Sequence, residues 1–263
     1  MTKTPKHHKH SYILTAGESD AEGRMPLTLV TERIIEVATE HANALGIGYA
    51  TLIKENIGWV LSRVSIEMLR YPAINEHYSL TTWIESYNRR FSERNFMLSD
   101  ADGNVIGYAR TVWVAMDFAS RTVADLSRFG SELFVTDELP CPIDKAPRIP
   151  SLPEDCEREQ YTFRYCDLDF NRHVNTVRYL DVILNHWSLE HHDANAVKRL
   201  DIMFHHECHY GEPAELRVAN TNSCPASGSN DCCGRGGVSI CELALPNGTK
   251  AVTARLLWHP RKN

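Results

Sequence analysis

No stretch of the chain approaches the ~18 consecutive apolar residues that a helix needs to cross a bilayer. No apolar segment follows the polar, basic start MTKTPKHHKH, so a secretory signal is not expected. Excess positive charge is also lacking. The 28 Lys and Arg are outnumbered by 34 Asp and Glu, giving a net charge of −6 and no sign of a nucleic-acid partner. Eight cysteines are present, at 141, 156, 166, 208, 224, 232, 233 and 241, but none pair in CxxC spacing. A structural zinc site is therefore not expected, and without a secretory signal reduced thiols and a cytoplasmic setting are.

The 263 residues that remain to be explained suffice for one large domain or two small ones. Residues 1–10 read as a solvated tail, in which His7, His8 and His10 can bind a metal only adventitiously. A strand is expected at 11–15. Residues 25–46 have helical spacing through Val30, Ile34, Ala38, Ala42 and Leu45, with Thr28 as N-cap and Gly46 as the stop. Residues 56–69 alternate, placing Val60, Ser62, Val64, Ile66 and Met68 on one face. Strands follow at 78–87, 93–100 and 104–118, the last two joined at Asp102-Gly103, a hairpin signal.

Five prolines between 140 and 153 mark 135–160 as a linker. The plan then repeats: a short strand at 161–166, a helix at 175–191, and strands at 199–210, 215–221, 237–245 and 249–258. Val177, Leu180, Ile183, Leu184 and Trp187 form the buried face of that helix. Pro246-Asn247-Gly248 turns the last hairpin, and 222–236 is a loop of small residues. Two copies of strand, helix and antiparallel strands thus divide the chain into 11–134 and 161–263.

The densest polar cluster is Asp167, Asp169, Asn171, His173 and Asn175, at the entry to the second helix. Helix N-termini offer free N–H groups and partial positive charge. Acid, amide and imidazole side chains add proton transfer and orientation. As an extended segment, the alternation would put Asp169, Asn171 and His173 on one side. Asp and Asn also serve as caps and turn formers, which suits Asp167 and Asn175.

The segment DLDFNRHVNTVRYLDVIL resembles the active-site segment of acyl-acyl-carrier-protein thioesterases, the plant-type family that also has bacterial members. NIGWVLSRVSIEMLRYP, ARTVWVAMDFASRTVADL and FHHECHYGE resemble three further segments of that family. The resemblance implies an α+β tandem hotdog, each half a long helix wrapped by an antiparallel sheet. It implies hydrolysis of a fatty acyl thioester on acyl carrier protein, with no metal or organic cofactor. Its catalytic set falls on Asp169, Asn171, His173 and Glu207. The first half, whose helix entry lacks this set, would shape the acyl pocket.

Either Glu207 or His173 can serve as base toward water, with amides at 174–176 receiving the oxyanion. Cys208 is the alternative nucleophile. If 199–210 is a strand, it faces away from Glu207. His205 and His209 share parity with Glu207 but read as ordinary surface histidines. Trp59, Trp83 and Trp113 read as core. Arg89 and Arg90 are candidates for docking an acidic carrier, and a homodimer is compatible with the plan. The same fold also admits an acyl-CoA thioesterase or a non-catalytic acyl-binding module.

Overall fold

The computed structural model describes residues 6–88, 90–125, 135–136, 138–221 and 237–261. Arg89, the loop at 222–236 with Cys224, Cys232 and Cys233, and the start of the N-terminal tail lie outside the described residues. The chain divides into two compact units, Met1–Lys145 and Ala146–Asn263. The division falls within the proline-rich stretch.

In the first unit, β1 (His7–Ile13), β2 (Ile57–Met68), β3 (His77–Tyr87), β4 (Phe91–Asp100) and β5 (Val105–Asp117) form an antiparallel sheet in the order β1-β3-β4-β5-β2. β6 (Thr122–Val123) adds to β5. β1 starts inside the span read as a tail, because residues 7–13 pair in unbroken register with 77–83. α1 (Leu27–Ala44) buries Val30, Ile34, Val37, Ala38 and Ala42. Its N-cap is Pro26 rather than Thr28, and Gly46 ends it at φ 75°. That left-handed conformation is one glycine adopts without Cβ strain. α2 (Tyr49–Leu52) follows.

The simple alternation expected of β2 fails at one point. Leu61 pairs with Trp113 and Arg63 with Val112, so Ser62 is an extra residue. This bulge changes the parity of the strand. Ile57 and Leu61 are buried before it and Val64, Ile66 and Met68 after it, while Val60 is 43% exposed.

Trp83 is core, as its sequence context suggests, but Trp59 and Trp113 are not simply core. They line a cavity of about 40 Å³ with Ala38, Ala42, Ile47 and Arg94. The buried Arg94 Nη1 lies 2.7 Å from His41 Nδ1 and donates to Thr82 Oγ1 at 3.4 Å.

The second unit has sheet order β8-β11-β10-β9-β7. Its strands are β7 (Glu157–Thr162), β8 (Asn195–Phe204), β9 (Pro213–Thr221), β10 (Val238–Ala244) and β11 (Lys250–Pro260). β7 begins within the span read as linker and pairs with β9. The helix expected at 175–191 is two helices, α3 (Thr176–Leu184) and α4 (Leu189–Ala194). Asn185 closes α3, and the Ser188 side chain accepts from His191 N–H to start α4. That local cap outweighs continuation of the helix. Val177, Leu180 and Ile183 are buried with Tyr179 and Val182, whereas Leu184 and Trp187 are half-buried. Among the described residues, no helix is long and apolar enough to cross a membrane.

Candidate functional site

The site lies in the second unit, where the chain enters α3. The segment containing Asp169, Asn171 and His173 is not extended. Leu168 and Val174 bridge, and between them the chain turns back on itself. Asp169 N–H donates to His173 O at 2.8 Å, and Arg172 N–H to Asp169 O at 3.0 Å. Arg172 sits in the left-handed region at φ 65°.

Asp169 organises this turn. Its Oδ1 accepts from Asn171 N–H at 2.8 Å and His173 N–H at 3.2 Å, and its Oδ2 from Asn171 Nδ2 at 3.4 Å. The three expected residues are therefore together, joined by hydrogen bonds to one carboxylate rather than by strand parity. Asn171 is exposed at the turn, and His173 is half-buried.

Glu207 approaches from the other side. It is not on a strand, because β8 ends at Phe204. Beyond that point His205 N–H and His206 N–H both donate to Ala251 O, at 2.8 and 3.2 Å, so the ladder loses its spacing. The loop after β8 is instead tied to the turn. Val174 N–H donates to Cys208 O at 2.8 Å, and His173 bridges to His209. This brings Glu207 Oε2 to 3.4 Å from His173 Nδ1.

His209, read from the sequence as an ordinary surface residue, adjoins this pair. Its ring meets the His173 ring edge-on at a centroid distance of 5.1 Å, and its N–H donates to Glu212 Oε2 at 3.0 Å. Only the density of polar residues in FHHECHYGE hinted at this. Donor atoms of His173, Glu207 and His209 lie within 4.8 Å of one another, so these three are the residues here able to hold a cation.

Cys208 lies beneath the site, fully buried. Its N–H donates to Tyr179 Oη at 3.0 Å. Burial pushes its thiol up from an ordinary value of 9.0 to about 11, with Glu212 and Glu207 adding repulsion against a thiolate. Burial likewise raises the Tyr179 phenol.

Asp167 and Asn175 are scaffolding. Buried Asp167 accepts from Tyr161 Oη at 3.0 Å and Arg164 N–H at 2.7 Å. Asn175 Oδ1 accepts from Val177 N–H at 3.0 Å and caps α3. Of the amides expected to meet an oxyanion, that of Val174 is taken by Cys208 O and that of Asn175 by Asp167 O. Thr176 opens the helix after them. Elsewhere, Arg90 is exposed.

The family model for the acyl-ACP thioesterase N-terminal domain matches residues 5–128, and that for the C-terminal domain matches 151–244. Oleoyl-acyl carrier protein thioesterase 2 of Arabidopsis thaliana is 29% identical over 218 residues, covering 76% of this chain and 59% of its own length. Palmitoyl-acyl carrier protein thioesterase of Cuphea hookeriana is 26% identical over 266 residues, covering 96% and 62%. The chain thus spans about three fifths of these chloroplastic relatives. Among solved structures, an acyl-ACP thioesterase from Bacteroides thetaiotaomicron superposes with TM-score 0.84 at 28% identity, covering 98% of this chain and 100% of that one. The 12:0-ACP thioesterase from Umbellularia californica gives TM-score 0.83 at 19% identity, covering 97% and 94%, a likeness of fold. The fold is the α+β hotdog arrangement of these neighbours.

Proposed function

The chain belongs to the acyl-acyl-carrier-protein thioesterase family, and on that premise we propose that it hydrolyses fatty acyl-acyl-carrier protein to free fatty acid and carrier thiol. The observation that carries the reading is the Glu207–His173 contact beside the turn that Asp169 organises. In the reaction, the Glu207–His173 pair takes a proton from water as its oxygen bonds to the thioester carbonyl carbon. The carbon–sulfur bond then breaks, and the thiolate leaves with the electron pair and is reprotonated. A thiolate is a good leaving group, so base and oxyanion contributions dominate. Asn171 orients the carbonyl or the water through its amide, Asp169 fixes Asn171 and His173, and the Thr176 amide at the start of α3 faces the developing oxyanion.

Water rather than Cys208 is the nucleophile in this reading. A buried thiol at about 11 holds on the order of one part in 10⁴ as thiolate at neutral pH. The first unit, whose helix entry lacks the Asp, Asn and His set, is the acyl-pocket half in this reading; its cavity of about 40 Å³ beside Trp59 and Arg94 has room for water rather than an acyl chain. A cytoplasmic setting belongs to the same reading, and among the described residues Cys141, Cys156, Cys166, Cys208 and Cys241 are thiols rather than disulfides.

The test is thiol release from a panel of acyl-carrier-protein thioesters, with the CoA ester of each acyl chain alongside. Glu207→Gln is expected to lower kcat by ~10²- to 10⁴-fold and Asn171→Ala by ~10²-fold, while Cys208→Ala stays within a few-fold of the parent. No release at any chain length would remove the enzyme reading. Equal rates on CoA would remove the preference for the carrier. Loss of turnover in a folded Cys208→Ala variant would make the thiol the nucleophile.

A further inference from the structure

A second group of donor side chains lies in the first unit, within the segment whose sequence suggested only a tail. His8 and His10 stand two residues apart on β1 and so share a face. Glu40, near the end of α1, meets both: its Oε2 is 2.7 Å from His8 Nε2 and 3.0 Å from His10 Nδ1. The three donor atoms lie within 4.8 Å of one another.

The rings are held by their neighbours. His10 stacks on Tyr12 at 4.3 Å, and His8 lies parallel to the buried His41 at 6.1 Å. Tyr12 donates to Glu36 Oε2 at 3.2 Å, and the Arg33 guanidinium covers the Tyr12 ring at 4.5 Å while pairing with Glu36 and Glu18. Arg33 is thus neutralised, and Glu40 supplies the negative charge at the two imidazoles.

The geometry points to a divalent metal site formed by His8, His10 and Glu40, of the class that takes zinc. Two imidazole nitrogens and one carboxylate oxygen leave a fourth, water-filled position in a tetrahedral zinc site. Donors about 2.0–2.2 Å from such an ion stand roughly 3.3 Å apart, so Glu40 would draw back from the two rings, now at 2.7 and 3.0 Å, by about half an ångström or less. On binding, the protons that His8 Nε2 and His10 Nδ1 direct at the Glu40 carboxylate each move to that ring's other nitrogen or to solvent, freeing both lone pairs for the ion. The ion then clamps the edge strand β1 onto α1. This role is independent of the thioesterase chemistry.

Zinc titration of the metal-stripped full chain tests the site, read by calorimetry and by thermal melting. Three variants accompany the parent: Glu40→Gln, the double variant His8→Gln with His10→Gln, and the double variant Glu207→Gln with His209→Gln. The parent and the Glu207/His209 variant are expected to bind one zinc that raises Tm. The other two are expected to lose that equivalent and its Tm increment. Co²⁺ provides a second reading, with visible bands of a tetrahedral site that vanish in Glu40→Gln while its metal-free circular dichroism matches the parent. Absence of saturable zinc binding would overturn the site. So would unchanged binding in the His8/His10 variant, loss confined to the Glu207/His209 variant, or a Co²⁺ spectrum dominated by thiolate charge transfer.

Discussion

Asp169 uses both carboxylate oxygens inside its own turn, where they hold two backbone amides and the Asn171 side chain. Hydrogen bonds to a charged group contribute about 1.5–3 kcal/mol each, so losing them frees the groups they fix. Asp169→Ala is expected to lower kcat by ~10- to 100-fold with a smaller change in KM. Asp169→Asn, which keeps one acceptor oxygen, should fall less; wild-type kcat in both variants would remove Asp169 as a positioning residue. Cys208 makes a different prediction. Its raised thiol keeps its proton in the folded chain while the unfolded chain loses it near pH 9. That contribution to stability is complete below about pH 9 and is lost as pH rises through about 11. Denaturant midpoints across this window should decline less steeply in Cys208→Ala. At this scale, the grouping of Asp169, Asn171 and His173 was legible because they are close in sequence and chemically conspicuous. Their geometry was not, because alternation assumes an extended backbone and nothing in the letters signals that Arg172 takes a positive φ.

Elements were legible where periodicity was long and uninterrupted, as in α1, and less so where a local hydrogen bond competes. The apolar period of α3 runs on to Trp187 in the sequence, yet Ser188 caps a new helix. The ladder of β8 likewise ends before Glu207, at two amides converging on Ala251 O. Asn175 was legible as a cap, and it makes an element-scale prediction. Asn175→Ala should destabilise the protein by about 0.5–2 kcal/mol, measured by denaturant unfolding. Turnover should fall as well, because α3 begins beside the turn. An unchanged midpoint would mean that the Asn175–Val177 bond contributes nothing in solution.

Across the whole chain, the repeat of strand, helix and antiparallel strands was legible from element order, and prolines marked where the two units divide. The sequence did not reveal that part of this stretch is held by the first unit. Arg110 donates to Ile143 O and to Cys141 O, both at 2.8 Å, and Lys145 pairs with Glu93 at 2.9 Å. Limited trypsin digestion is therefore expected to cut after Arg148 before it cuts after Lys145, with Arg110→Ala narrowing the interval between the two cuts. Early cleavage after Lys145 in the parent, seen by mass spectrometry, would contradict that anchoring. Ser62, the extra residue of β2, has a consequence for how such chains diverge. Deleting one residue from the middle of a strand ordinarily turns every later side chain to the opposite face. Removing Ser62 would instead leave Ile57, Leu61, Val64 and Ile66 pointing inward, now in strict alternation. A single-residue deletion is thus tolerable inside this strand, and alignments of relatives can carry a gap at a position where gaps are usually penalised.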